Sequence, residues 1–572
     1  MIIGLDVGGT HTDAVLLSRD GIVRDVKVPT DTLDLFSTVL KTLTALLDGI
    51  DSTRIKRIVL STTLTTNAVV QKKVAPVGII VSSGPGIDPE EYRTGEHYHT
   101  VSGSIDHRGR ERSPVNPREI VDIAIGFRES GIRTVGVIGK FSPRNPSHEL
   151  IIRDLVQPYC DTIFMGHQVS SNLNFPRRIT TVNLDAAVYT MHRDFFNAVR
   201  SSLKQKGLNA PIQILKADGG TMSLEASMIS PGQTILSGPA ASVMGAIPYA
   251  PDNMDALVLD IGGTTTDIAV LVNRSPLLEP VGIKRGIYKS LIRSLQTVSK
   301  GIGGDSNIRV ENGHLAIGPE RKGPALAFGG PLPTPTDALI ALGLMDMGNK
   351  TRAQEGIQDL ANQLGMSVVD AARLIVTRTC TIILDHARDL IRTINEKPVY
   401  TVHEFLEGYT TNPRKIMLLG GPAPYLAGEL QIQSGIETVT IPAFGVANAI
   451  GAALARTTCE VSLFADTEQG FAISPEEDFS EPVSRNYSED DAVESTYNLL
   501  YEKAVKSGSD PENLEVEVIE FQKFNIVRGF SAKGKIFRIK MQVKPGLIQG
   551  YDAVWQKASL WDIQGGSHAP SR

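Results

Sequence analysis

A chain of 572 residues, 41% hydrophobic and 21% charged, is long enough for several domains around a large core. Its 57 basic and 63 acidic side chains leave a net charge of −6, which argues against nucleic acid or an anionic membrane as the main partner. No apolar run approaches the roughly 20 residues that span a bilayer, no basic and apolar leader precedes the first strand, and Cys160, Cys380 and Cys459 are far apart. These features predict a cytoplasmic protein without an iron-sulfur cluster or zinc knuckle.

The chain opens with Ile2, Ile3 and Leu5, then Asp6-Val7-Gly8-Gly9-Thr10-His11-Thr12-Asp13, then the apolar run Ala14 to Leu17. This reads as strand, tight turn, strand. The pattern returns 260 − 6 = 254 residues later as Asp260-Ile261-Gly262-Gly263-Thr264-Thr265-Thr266-Asp267, again between apolar runs. Paired glycines let a ligand approach the backbone and leave amides for phosphate oxygens, while threonine hydroxyls add neutral donors. A carboxylate at the strand end does not favour bare phosphate, so Asp6 and Asp260 are assigned to a hydrated Mg²⁺. One copy would close an ordinary hairpin. Two copies at domain spacing predict similar half-domains whose hairpins face each other across a cleft.

Between the copies, Thr32 to Leu47 has the spacing of an amphipathic helix. Ile58 to Leu60 is a short strand feeding the hydroxyl-rich run Ser61 to Asn67, more hydroxyls than a helix cap requires. Pro85 to Pro117 is loop-like and carries His97, His99 and His107, either a metal site or a solvated loop. Glu119 to Arg128 reads as a helix, Thr134 to Gly139 as a parallel-type strand, Leu184 to Gln205 as a helix and Pro211 to Lys216 as a strand. Ser237-Gly238-Pro239-Ala240-Ala241 opens a small-residue helix, Ala240 to Ala246, whose first amides suit an anion.

Beyond the second copy, Gly301, Gly303, Gly304 and Asp305 form a glycine turn expected to border a nucleotide. Pro319 to Thr336 is a Gly/Pro-rich connection, and Ser367 to Glu396 is one long helix in which His386 is packed. The strand Ile416 to Gly421 ends in Gly420 and Gly421, a glycine turn whose bare backbone lets a ligand lie close. Phe444 to Arg456 is a small-residue helix. Glu476 to Asp491 reads as an acidic linker, Asp491 to Lys506 as a helix, and Leu514 to Phe524 with Lys533 to Val543 as an edge hairpin; Gly565 to Arg572 reads as a disordered tail.

The twin hairpins resemble the phosphate-1 and phosphate-2 elements shared by actin, Hsp70 chaperones and sugar kinases. A narrower resemblance is carried by Thr62-Thr63 through Thr66-Asn67-Ala68, Asn145-Pro146-Ser147-His148-Glu149, the His167 to Thr181 segment, Ser237-Gly238-Pro239-Ala240 and Thr336-Asp337-Ala338. In that order they are similar to the hydantoinase A/5-oxoprolinase family over roughly residues 1 to 460.

The resemblance implies an α/β fold of duplicated actin-like (ribonuclease H-like) ATPase domains around a cleft, with a small α+β appendage. The divisions are 1–175, an N-terminal hydantoinase/oxoprolinase domain; 176–460, a hydantoinase A domain with the phosphate-2 and adenosine motifs; and 461–572. It implies ATP and Mg²⁺ as cofactors and ATP-dependent opening of a cyclic amide through phosphorylation of its oxygen, or the ATP-using subunit of a related carboxylase. A small-molecule kinase is the alternative.

Gly8, Gly9, Thr10, Thr12, Gly262, Gly263, Thr264, Thr265 and Thr266 are assigned to phosphates, and Gly303, Gly304, Gly420 and Gly421 to the rest of the nucleotide. Thr62, Thr63, Asn67, Ser237 and Gly238 are candidate substrate contacts. Asp13 and Asp267 are expected to pin their own hairpins. A hydantoinase B-type partner subunit is plausible, and homo-oligomerisation is open. Two departures bear on the substrate: Leu60-Ser61-Thr62-Thr63 stands where most members read H-G-T-T, and Gln71 where an acidic residue is common. Pro422-Ala423-Pro424 also replaces the second glycine of the usual G-G-x-G-P.

Overall fold

The computed structural model describes residues 1–31, 33–70, 74–279, 282–396, 410–509, 511, 514–528 and 531–558. Thr32, Gln71 and the Gly565 to Arg572 tail lie outside them, as does the Asn67 side chain.

The two similar sequences build two similar sheets. Ile2–Val7 pairs antiparallel with His11–Ser18 and parallel with Arg57–Thr62, which pairs parallel with Ile212–Leu215. Ala256–Ile261 likewise pairs antiparallel with Thr266–Val272 and parallel with Lys415–Leu419, which pairs parallel with Glu437–Thr440. In the first hairpin Asp6 lies opposite Asp13; in the second, Asp260 lies opposite Asp267. Strands buried on both faces need continuous apolar runs rather than alternation, and both first strands are fully buried.

A third sheet is wholly parallel, in the order Thr162–Met165, Thr134–Gly139, Gly78–Ser82 and Tyr98–Val101. Tyr98–Val101 lies inside the stretch that reads as loop in sequence: only a neighbouring strand supplies hydrogen bonds to so short a segment. His97 and His99 both pack against the ring of Phe127, with centroids 6.4 and 5.4 Å away.

The helix expected from Leu184 begins instead at Phe175 and runs to Gln205. Asn174 caps it by accepting from the Arg177 amide, and Pro176 sits in its first turn, where no amide partner is needed. The small-residue helix after the Ser237 motif starts at Ser237 itself and ends at Ala246. The region after residue 460 is larger than an αββ unit. It is a five-stranded sheet, ordered Phe479–Pro482, Phe471–Ser474, Glu460–Asp466, Ser531–Val543, Val516–Arg528, covered by the helix Glu489–Lys506. The acidic "linker" thus contains the strand Phe479–Pro482, its polar residues tolerated at an edge.

Ala447–Leu454 is the helix that ties the two hairpin sheets together. It packs on Ile2–Val7 on one side and on Ser237–Ala246 on the other. A Cβ on Gly4 would come within 2.2 Å of the Ala449 carbonyl, and one on Gly451 within 2.3 Å of the Ala241 carbonyl, so only glycine permits these backbone approaches. Among the described residues, no helix is long and apolar enough to cross a membrane.

Candidate functional site

Asp6 and Asp260 end their strands as the polar exceptions in apolar runs, at 7% and 9% exposure. The helix Ala447–Leu454 brings them together: Asn448, in its first turn, donates from Nδ2 to Asp260 Oδ2 at 3.0 Å and to Asp6 Oδ2 at 3.4 Å. Each carboxylate also has its own serine. Ser61, directly across the sheet from Asp6, donates to Asp6 Oδ1, and Ser242 donates to Asp260 Oδ2 at 2.6 Å. The Ser61 contact is a consequence of the departure from H-G-T-T, because a glycine there has no hydroxyl to give. Leu60 is simply core.

Asp13 and Asp267 are each held by the next strand. Asp13 pairs with Lys27 at 2.7 Å, and Lys27 also donates to the Gly445 carbonyl at 3.2 Å, tying the first sheet to the loop that leads into the linking helix. Asp267 lies opposite Ser299 and is hydrogen-bonded to it, while its Oδ1 is buried without a partner.

Burial drives the electrostatics. Asp6 is pushed up to about 6, chiefly by desolvation, with Asp13 and Asp260 adding repulsion against the Ser61 and Asn448 hydrogen bonds. Asp260 is raised by burial in the same way. Asp267 is pushed up to about 7 by burial and by Asp260 and Asp6. Mutually repelling, desolvated carboxylates with an orphaned oxygen are what a bound cation would stabilise. Among the described residues, no three His, Cys, Asp or Glu side chains converge to ligate an ion. Asp6 and Asp260, whose oxygens already accept from Ser61, Ser242 and Asn448, fit a Mg²⁺ held through its own waters.

The second hairpin rests on two further loops. The Gly304 amide donates to the Gly262 carbonyl at 2.9 Å and the Asp305 amide to that of Gly263 at 2.7 Å, while Gly303 donates to Ser306 Oγ. Gly420, in the left-handed region at φ 93°, allows no Cβ: one would lie 2.3 Å from the Ile261 carbonyl and 2.7 Å from Asp260 Oδ1. Gly303, Gly304 and Gly420 thus shape the turn of the second hairpin by close packing, whereas Gly421 has open space at its Cβ position. Asp305 is clasped by Arg321 at 3.0 Å, and both act electrostatically on His11 at the tip of the first hairpin.

Several assigned groups are engaged elsewhere. The Gly8 and Gly262 amides close their own turns, donating to the His11 and Thr265 carbonyls at 3.0 and 2.9 Å. Thr12 and Thr266 are fully buried in second strands, with hydroxyls bonded to Thr30 and to the Ile302 carbonyl. That leaves Gly9, Thr10, Gly263, Thr264 and Thr265 at the two tips.

The hydroxyls from 62 to 66 stitch two segments together. Ser237 Oγ accepts from the Thr62 amide and donates to its carbonyl, Thr65 pairs with Thr234, and Thr66 accepts from the Leu236 amide. Thr62 and Ser237 are buried, and a Cβ on Gly238 would touch Thr63 Cγ2 at 2.7 Å. These residues lie beside the first hairpin, where the Thr63 amide meets the Val7 carbonyl at 3.2 Å. Two useful residues carried no sequence signal of their own, Asn448 in a run of small residues and Lys27 in a strand.

The family model for the hydantoinase/oxoprolinase N-terminal region matches residues 2–160, and that for hydantoinase/oxoprolinase matches 178–461. The chain belongs to this family. It is 26% identical to caprolactamase subunit alpha of Pseudomonas jessenii over 66% of this chain and 60% of that one. It is 27% identical to the acetophenone carboxylase gamma subunit of Aromatoleum aromaticum, over 65% and 58%. The sequence matches thus span about three fifths of these two relatives' length.

Among solved structures, the nucleotide-free acetone carboxylase superposes with a TM-score of 0.73 at 18% identity, covering 96% of this chain and 88% of that one. The ATP-dependent caprolactamase from Pseudomonas jessenii gives 0.65 at 19%, covering 94% and 87%. The hydantoinase/oxoprolinase chain therefore shares the mixed α/β fold of these enzymes.

Proposed function

We propose that this hydantoinase/oxoprolinase chain binds Mg²⁺-ATP between its two hairpins and uses it to activate a cyclic amide for hydrolysis, alone or as the ATP-using subunit of a larger enzyme. The observation that carries this reading is the pair Asp6 and Asp260, brought from sequence positions 254 apart onto one carboxamide, Asn448. In this reading the chain is a duplicated actin-like ATPase, divided near 175 and 460, that works in the cytoplasm. The matching strand plans of the two sheets support the duplication. Subunit designations among the relatives support a separate partner; in this reading it is of hydantoinase B type.

Chemically, the amide carbonyl oxygen attacks the γ-phosphorus and ADP leaves. Water then adds to the activated carbon, the tetrahedral centre expels the ring nitrogen, which takes up a proton, and a second water hydrolyses the resulting acyl phosphate to carboxylate and phosphate. Such transfer depends mainly on positioning and charge neutralisation. Asp6 and Asp260 would hold the hydrated Mg²⁺, which neutralises phosphate charge, and the tip residues Gly9, Thr10 and Gly263 to Thr265 would orient the phosphates. Thr63, beside the first hairpin, marks where a substrate would rest, with the buried Thr62 and Ser237 holding that wall from behind, and Gly421 offers open space for the purine.

The test is calorimetric titration with a nonhydrolysable ATP analogue and Mg²⁺, followed by phosphate release with hydantoins, lactams and 5-oxoproline. Lactam-stimulated release is expected. A stable phosphoester product would instead indicate a kinase, and no binding at all would overturn the reading. Because Asp6 titrates near 6, protonation removes the charge that attracts the cation. Mg²⁺-dependent binding should therefore weaken as pH falls through about 6, and affinity unchanged between pH values on either side would take Asp6 out of the site.

Asn448→Leu removes both donors to the carboxylates at similar volume. Hydrogen bonds to charged groups contribute about 1.5–3 kcal/mol each, so kcat should fall roughly ten- to a hundred-fold while the KM for ATP moves less. Steady-state kinetics that change KM alone would show that Asn448 does not position the carboxylates.

A further inference from the structure

The tip residues Gly9, Thr10 and Gly263 to Thr265 offer a phosphate neutral donors, amides and hydroxyls. A transferring phosphoryl group also needs positive charge against its outer oxygens, and arginine suits that task because its planar fork matches phosphate geometry. Two cations act on His11 at the first tip, Lys27 and Arg321. Lys27 is spent: its three N–H groups go to both oxygens of Asp13 and to the Gly445 carbonyl. Arg321 keeps donors in reserve. Its Nε and Nη2 donate to a single oxygen, Asp305 Oδ2, at 3.1 and 3.0 Å, which leaves three of its five N–H groups without a partner among the described residues. The flanking side chains explain why it turns inward. Glu320 and Lys322 pair with each other at 3.1 Å and are more than half exposed, whereas Arg321 is 26% exposed. Its anchor belongs to the support of the second hairpin: the Asp305 amide donates to the Gly263 carbonyl at 2.7 Å, and Asp305 Oδ2 stands 2.7 Å from where a Cβ on Gly263 would lie. The guanidinium is thus fixed one hydrogen bond away from an oxygen that packs on the second tip, and its field reaches the first.

We propose that Arg321 is a catalytic residue of the phosphoryl step, its free N–H groups binding the terminal phosphate of ATP while Asp305 anchors the guanidinium. This rests on reading the cleft as the ATP site. As the amide oxygen bonds to the γ-phosphorus, the bond from that phosphorus to the bridging oxygen breaks; its electron pair leaves with ADP, and no proton moves. Arg321 neutralises the outer oxygens of the phosphoryl group while this happens.

Calorimetric titration of the full chain with Mg²⁺ and either ADP or a nonhydrolysable ATP analogue tests this, because only the analogue carries the phosphate that Arg321 would touch. The wild type should bind both. Arg321→Ala should bind the analogue roughly ten- to a hundred-fold more weakly while its ADP affinity stays within about twofold. Arg321→Lys, which keeps the charge without the fork, should fall between wild type and Arg321→Ala. Retained ADP binding also reports that the variants are folded. Equal losses for both nucleotides in both variants would make Arg321 a brace of its loop, and unchanged affinities would place it off the phosphate; either result overturns the proposal and leaves the ATP reading standing. A wild type that binds neither nucleotide overturns that reading, and the proposal with it.

Discussion

Asp260→Asn should reduce ATP turnover by on the order of a thousand-fold, the scale seen when one preorganised charge-stabilising group is lost from an active site. The substitution keeps the shape of the side chain and a carbonyl oxygen to accept from Ser242 or Asn448, but removes the charge that would attract a hydrated Mg²⁺. Folding should not suffer. Asp260 is raised by burial, so its ionised form costs stability: the carboxyl contributes fully only below the unfolded pKa, and that contribution is lost as pH rises through the folded one. Asp260→Asn should therefore melt at or above the wild-type temperature at pH 8 and show no such advantage at pH 4. Phosphate release and thermal melts on the same preparation separate the two effects. Undiminished turnover would remove the second hairpin from the phosphate site.

Gly451→Val should have the largest effect on stability. The added side chain meets backbone rather than flexible side-chain ends, at 2.3 Å from the Ala241 carbonyl and 2.4 Å from the Gly245 amide nitrogen, so two helices must separate. Overpacking costs typically about 1–3 kcal/mol and more when backbone cannot yield, and here the upper end or beyond is expected. Urea unfolding would show the loss, and Gly451→Ala should sit between the two. A second consequence follows from Asn448, three residues earlier on the same helix. Displacing that helix withdraws its carboxamide from Asp6 and Asp260, so at temperatures where Gly451→Ala is still folded its ATP binding should be weakened. A variant as stable as wild type would mean that the two sheets are not tied through this helix.

Much of the architecture was legible because it is written in local pattern. Continuous apolar runs ending in aspartate and paired glycines marked both hairpins. Helical spacing marked the long helix from Val368 to Glu396, found within one residue of its expected start. The errors have physical causes. The Phe175 helix was begun too late because its cap, Asn174 followed by a first-turn proline, precedes the obvious periodicity. Tyr98–Val101 and Phe479–Pro482 were missed because short edge strands are stabilised by a partner strand rather than by their own composition.

By itself the sequence determined that there are two glycine-turned hairpins, that a carboxylate stands near the end of the first strand of each, and that two helices, after Ser237 and before Arg456, are built of small residues. These depend on backbone geometry and burial, which act over a few residues. Only the tertiary structure decided which groups meet. Asn448 bridges Asp6 and Asp260, Ser61 and Ser242 each support one carboxylate, and Thr12, Thr62, Thr266 and Ser237 direct their hydroxyls inward to hold the frame. A hydroxyl or carboxamide has the same chemistry wherever it stands in a chain. Whether it faces a ligand or a neighbouring backbone depends on which segments, hundreds of residues apart, pack against it.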